Sequence, residues 1–423
     1  MKKLFSIILF FVCTQAFSQT VNDFQIPSRG NGGKVIFAPK DANGNQVQVL
    51  TIDPVNGVSG SGIQAKNHFH NGNFTHWQRG TASVGTGPAT LTSGNSGTLG
   101  GYLADRTKVY EDLATGVGTQ ERSTDVPSGL AFPASASLKV TVTMPQASVG
   151  ASEVGLINQW VEGYDLLPLY NKTMTLSFWV KSSLTGTYNI SFQNNVQNKS
   201  LVKHYTISSA NTWEKKTITF AHDASGTWSY DTTRGLQIGW ILACGTNYAD
   251  GIDGTWVSSG GEFCSATTQG TNLFATNGNT FYLAQIMLNE GSVAAPFQLS
   301  GGTVGGELRI VQRFYQQIGG VNNSTGIPMC YGKGVGTTSM YIFCPLPVTL
   351  RTTAPTVNWF ASTSFCGIQT NDGTCDNVSG GSVSATGYNH GVFLNISSVS
   401  GIAAGYPYLL DLADAGIRFH ADF

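Results

Sequence analysis

Charged residues are scarce in this chain. Lys, Arg, Asp and Glu make up 11% of its 423 residues, with a formal net charge of -1. No basic stretch is interleaved with aromatics, so a nucleic-acid partner, whose phosphates need Lys and Arg, has no electrostatic support. Glu, Lys and Arg are also good helix formers, and their scarcity argues against a helical architecture. Long apolar runs are missing too: residues 4–12 are apolar but too short to cross a bilayer. Catalytic signatures are absent, with no Gly-x-Ser-x-Gly elbow, no His-Glu-x-x-His pair and no phosphate-binding loop. A glycosidase needs two carboxylates flanking the scissile bond. Glu153, Glu162 and Asp165 are the nearest cluster of acids. Hydrolysis is therefore the weaker expectation and a non-enzymatic role the main one.

What the chain has in quantity is glycine, 52 residues, along with Thr, Ser and Asn. That is the composition of an all-β protein with many short turns. Segments 137–144, 174–182, 187–193, 213–221, 236–244 and 280–291 alternate apolar with polar or small residues. Leu176, Phe178 and Val180 share one face of such a strand; Thr175, Ser177, Trp179 and Lys181 share the other. Strands of this length between Gly/Asn/Ser turns predict a two-sheet β-sandwich over 67–300. Residues 305–320 carry a helical period through Leu308, Val311, Phe314 or Tyr315, and Ile318. This one short helix should join the sandwich to a smaller C-terminal β domain, the two together spanning 305–423.

The N-terminal part reads differently. Met1-Lys2-Lys3, the apolar run and Ala16-Phe17-Ser18 fit a secretory signal peptide over 1–18, cut after Ser18; an uncleaved hydrophobic anchor is the alternative. Residues 19–66 form a polar attachment or stalk region, with a hairpin expected at 40–53 and a flexible Gly/Ser linker at 56–62. Asp41, Asn43 and Asn45 lack the glycine that a calcium loop needs next, because Gln46 stands there. Six cysteines follow Ser18 in three sequence-local pairs: Cys244 and Cys264, Cys330 and Cys344, Cys366 and Cys375. Six cysteines allow about 15 pairings, and the local ones, which close short loops, are preferred.

Widely spread segments carry a resemblance. They are "NGNFTHWQRGT" (71–81), "YLADRT" (102–107), "INQWVEGYDLLPLYNKTMTLSFWVKSSLTGTY" (157–188), "TWEKKTITFAHDASGTW" (212–228), "NLFATNGNTFYLAQIMLNEGSVAAPF" (272–297) and "VTLRTTAPTV" (348–357). Together they resemble a recurrent module of bacteriophage and prophage tail-fibre or receptor-binding proteins. The resemblance covers roughly 70–420. It implies a jelly-roll sandwich like a carbohydrate-binding module, in a homotrimeric fibre that meets a host cell-surface glycan. The N-terminal region would join other virion proteins. It places the protein in the virion; a secreted bacterial lectin-like protein is the alternative, and a glycan-degrading spike a third. Two departures stand out. Thr107 replaces the family's tryptophan after Ala104-Asp105-Arg106, and Trp160 adds an aromatic before Glu162-Gly163-Tyr164-Asp165.

Phe74 and Trp77 are expected in the core, with Arg79 and Asp105 as an internal ion pair. Sugar binding needs an aromatic face against pyranose C–H groups and polar side chains for hydroxyls. Two loops offer both: Trp228, Tyr230 and Asp231 in one; Asn247, Tyr248, Asp250, Asp253 and Trp256 in the other. His68 and His70 would share one face of a strand. No resident cofactor is expected, except that three chains of a fibre could present these imidazoles to an axial metal ion.

Overall fold

The computed structural model describes residues 65–79, 102–258, 261–319, 328–335 and 338–352, together with short strands elsewhere in the chain. The expected signal segment lies outside the described residues. Strands β1 (Val35–Phe37), β2 (Leu50–Asp53) and β3 (Gly57–Gly60) make a small antiparallel sheet. Part of the expected linker is thus a strand: Leu50 pairs with Phe37 on one side and Gly60 on the other.

Next in order come β4 (Ala89–Thr90), β5 (Lys108–Asp112), β6 (Val117–Ser123), β7 (Ser137–Met144), β8 (Val154–Glu162) and β9 (Thr173–Ser182). They are followed by β10 (Gly186–Asn194), β11 (Ser200–Ile207), β12 (Glu214–Ala221), β13 (Arg234–Cys244), β14 (Trp256–Val257) and β15 (Thr280–Glu290). These twelve form two antiparallel sheets. The front sheet runs β12-β9-β15-β7-β6-β4 and the back sheet β14-β11-β10-β13-β8-β5. The alternation read from the sequence is what packs them. Leu176, Phe178 and Val180 of β9 are fully buried, as are Ile190 and Phe192 of β10 and Ile238 and Trp240 of β13. Phe178 meets Trp240 edge-on across the sandwich at 5.5 Å. Each such side chain contributes about 1.5–3 kcal/mol by leaving water.

The opening segment 71–79 consists of turns and irregular backbone, with no strand. Asn71 and Phe74 sit at positive φ, and Asn71 uses its side chain on the His76 and Asp105 backbones. Asn tolerates this conformation because its short amide bonds the local backbone. Gly72 is required, since a Cβ there would lie 2.0 Å from the Ile286 carbonyl oxygen. Phe74 and Trp77 are in the core, and Arg79 meets Asp105 at 3.4 Å, both buried.

The helix, α1 (Val304–Gln312), is capped by Thr303 and ends earlier than its period suggests. Tyr315–Gly319 instead forms β16, paired with β25 (Gly416–His420). Ladder pairing overrides the local helical period there. Between these two lie β17 (Pro328–Gly334), β18 (Ser339–Pro345), β19 (Thr356–Phe360), β20 (Ser364–Gln369) and β21 (Cys375–Ser379), then β22 (Ser382–Tyr388), β23 (Gly391–Ser397) and β24 (Pro407–Asp411). They assemble as a three-stranded sheet, β16-β25-β19, and a seven-stranded sheet, β21-β20-β24-β17-β18-β23-β22. The protein is all-β: a jelly-roll-type sandwich followed by a smaller β region after one short helix. Disulfides join Cys244 to Cys264 and Cys330 to Cys344. The side chains of Cys366 and Cys375 lie outside the described residues. Among the described residues no helix is long and apolar enough to cross a membrane.

Candidate functional site

The strands that bury one face in the sandwich present the other face outward. On β8, Ile157 and Val161 enter the core, while Leu156, Asn158 and Trp160 line a groove on the outer face of the back sheet. Antiparallel register aligns the groove floor in rows across the strands. Trp160 lies opposite Gln237, which lies opposite Gln193. Lys108 lies opposite Asn158, which lies opposite Gly239. Tyr110 lies opposite Leu156, and Leu156 opposite Ile241. Gly239 keeps the floor low, since a Cβ there would press within 3.0 Å of Ser191 Oγ and 3.2 Å of Leu156 Cδ1.

The loop after β13 builds one wall. The Cys244–Cys264 disulfide ties its two ends together, and the backbone N–H groups of Phe263 and Cys264 both donate to the Tyr248 carbonyl at 3.0 Å. Tyr248 and Phe263 pack edge-on at 5.4 Å, over a small buried cluster of Val154, Leu156 and Ile241. Tyr110 stands against the same cluster from β5. The groove encloses about 350 Å³.

Its polar groups are of two kinds. Asn158 Oδ1 and Gln237 Oε1 are buried acceptors with no hydrogen-bond partner among the described residues. Buried acceptors left this way are costly, by about 1–3 kcal/mol each, unless water or a ligand donates to them. The charged groups are Lys108, Arg234 and Asp112. The Tyr110 hydroxyl is held above its ordinary pKa, first by burial and then by Asp112 and Tyr248.

The residues expected to contact sugar divide between two places. Tyr248 lines the groove. Trp228, Tyr230 and Trp256 form a separate cluster with His222 and Tyr170. Trp228 and Trp256 cross edge-on at 5.7 Å, and both rings pack on the main core. The Trp256 indole N–H donates to the Ala221 carbonyl at 2.8 Å, so a residue of back-sheet edge strand β14 is fastened to front-sheet edge strand β12. Trp228 donates to the Ser225 carbonyl at 3.0 Å. This cluster closes the sandwich edge. Asp231 accepts from the Thr233 backbone and hydroxyl, which fixes a turn, and Asn247 bonds Ser152 Oγ at 2.8 Å. The Asp250 backbone N–H donates to Glu262, and Asp253 accepts from the His204 backbone.

His68 and His70 lie on the turn, not on a strand, and both are buried. His68 Nδ1 is 2.7 Å from the Asp165 carbonyl, and His70 Nε2 is 3.0 Å from Asp165 Oδ2. Burial, followed by the neighbouring Lys66, lowers the His68 pKa to about 4. Burial alone would raise Asp165, but His70 and Lys66 outweigh it and hold the carboxyl below its usual range. Both imidazoles are thus turned onto Asp165 within this chain. Among the described residues no group of three His, Cys, Asp or Glu could hold a metal ion.

The acids considered for hydrolysis are each engaged elsewhere. Glu162 is buried and held by Arg313 at 2.7 and 3.0 Å, Asp165 by His70 and Lys66, and Glu153 by the Ala114 and Gly150 backbones. Among the described residues, Asp112 is the one carboxylate lining the groove.

Sequence reasoning passed over Tyr110, Asn158, Gln237 and Phe263 as site residues. It noted Trp160 only as an extra aromatic. The available signal was parity: on 154–162, Leu156, Asn158 and Trp160 fall out of phase with the core residues Ile157 and Val161.

No family model matches the sequence, and no curated protein matches it. Several solved structures resemble parts of it loosely. The enzymatically active domain of tailspike protein 4 of bacteriophage CBA120 aligns at 14% identity, covering 53% of this chain and 21% of that one, with a TM-score of 0.27. A family 11 carbohydrate-binding module from Clostridium thermocellum aligns at 11% identity over 45% of this chain and 89% of its own, TM-score 0.25. A putative sugar binding protein from Bacteroides thetaiotaomicron aligns at 10% identity over 53% of this chain and 100% of its own, TM-score 0.28. Superpositions this loose assign nothing beyond themselves. The class rests on the strand order above: a jelly-roll-type β-sandwich with a groove across the outer face of one sheet.

Proposed function

We propose that this is a non-enzymatic glycan-binding protein that takes its ligand in the back-sheet groove. The observation that carries the reading is the pairing of aromatic walls with the buried, unpartnered acceptors Asn158 Oδ1 and Gln237 Oε1. Sugar rings offer apolar C–H faces to aromatics and hydroxyl donors to such acceptors. A single groove carboxylate, Asp112, supplies half of the acid pair that glycoside hydrolysis uses. We read the groove as one that binds without cleaving. A glycan array probed with the full chain tests this: the account expects selective hits that Tyr110→Ala removes, and hits indifferent to Tyr110→Ala would refute it.

The setting of that activity is a finer reading. Two disulfides support a compartment outside the reducing cytosol. A secreted lectin-like protein is the main form, on this ground. The sequence resemblance over 71–81, 157–188 and 272–297 favours a second form, a trimeric receptor-binding fibre attached to a virion through its N-terminal region. N-terminal sequencing separates them: Gln19 as first residue means export, Met1 or Lys2 means cytosolic assembly. Light scattering at three times the chain mass supports the fibre, and a monomer contradicts it.

A further inference from the structure

We infer that the groove selects acidic glycans, with Arg234 reading the carboxylate; this rests on the glycan-binding reading above and specifies its ligand class. Arg234 stands at the start of β13, and its guanidinium carbon lies 5.1 Å from the centre of the Trp160 ring. Trp160 is only 6% exposed, although it lines the groove. The carboxylate nearest in register, Glu162, is committed to Arg313. Arg234 itself is exposed and makes no ion pair with an Asp or Glu among the described residues. On edge strand β5, opposite Asn158, the Lys108 ammonium lies 5.4 Å from the Tyr110 ring and 5.8 Å from the Tyr102 ring. Two cations thus face the groove against one carboxylate, Asp112.

The consequence is a difference between ligands. A neutral pyranose that stacks on Trp160 has to displace the guanidinium and forfeit its attraction to the indole. A ligand carboxylate instead meets the guanidinium fork directly, as a charge-assisted and often bidentate pair. Moving Arg234 onto that carboxylate would also uncover Trp160 for the ring that bears it. Asn158 and Gln237 then accept from hydroxyls in either case, which leaves the charge to decide selectivity.

The test is a glycan array of neutral, sialylated and uronate-bearing glycans, probed with the full chain and with Arg234→Gln and Arg234→Lys. The expected hits carry carboxylates and weaken as salt rises. Arg234→Gln should lower their affinity about tenfold or more, and Arg234→Lys, which keeps charge but not the fork, should fall between. Hits that are mainly neutral, or acidic hits that keep their affinity in both folded variants, overturn the inference and leave the glycan-binding reading standing. An array with no hits overturns both. Melting each variant alongside confirms that a lost signal is lost binding.

Discussion

Two sets of aromatic side chains lie near the surface of the sandwich, and they do different work. Trp228, Tyr230 and Trp256 pack on the main core, and both indole N–H groups are used on backbone carbonyls. Tyr110, Tyr248 and Phe263 rest on a small satellite cluster, and the two tyrosine hydroxyls have no hydrogen-bond partner among the described residues. Both sets are half-buried. Exposure therefore does not separate them; what each ring is already bonded to does. A ring whose polar handle is consumed by the fold closes an edge, and a ring whose handle is unused keeps it available to a ligand.

The comparison can be broken most sharply at the disulfide. Replacing both Cys244 and Cys264 by Ser should cost about 2–4 kcal/mol in denaturant unfolding. It should also weaken binding, because the loop it staples carries Tyr248 and Phe263. Binding that survives in the folded double variant would show that this wall is dispensable. Trp256→Ala should cost about 2–3 kcal/mol of stability through lost packing at the sheet edge, with glycan affinity of the folded protein unchanged. A variant that melts like the parent but no longer binds would reverse the assignment of the two sets.

The pH profile probes the inner side of the groove's edge strand. Burial pushes the Glu111 carboxyl up to about 8, despite the Gly118 N–H it accepts. Between its ordinary value and about 8, the folded state holds a proton that the unfolded chain releases, so stability falls as pH rises. His68, lowered to about 4, acts oppositely: the unfolded chain binds the extra proton between about 4 and 6.5, and stability rises with pH there. Above about pH 6.5 only the Glu111 contribution remains of these two. Stability should then fall by up to about 1.4 kcal/mol per pH unit toward pH 8. Glu111→Gln should flatten that decline; a decline unchanged in the variant would place its source elsewhere.

Much of the fold was legible because alternation dominates where one face is buried and the other solvated. Segment 137–144 matches β7 residue for residue. β8 shows no alternation in burial by which to read it. Its inner residues Ile157 and Val161 face the core and Gln159 is held by the His70 backbone, while the groove loop, Arg234 and Arg313 lie against its outer residues, so it is buried at every position and its pattern is flattened. The turn at 71–79 imitates a strand in composition, and only the Asn71 side-chain bonds, made to distant Asp105 among others, reveal it. The groove was illegible for a related reason. Tyr110, Asn158, Gln237 and Tyr248 come from separate strands and a loop, and register alone brings them together. The bond of Trp256 to Ala221, 35 residues away, leaves no local trace in the sequence.

The central claim is that the groove, not the edge cluster, holds the glycan. Isothermal titration of an array-selected glycan into the parent, Tyr248→Ala and Trp228→Ala proteins tests it most directly, with melting followed in parallel. Tyr248→Ala should weaken binding by about 1–3 kcal/mol while stability changes little. Trp228→Ala should bind like the parent and melt earlier. Loss of binding in Trp228→Ala with Tyr248→Ala unaffected would contradict the account.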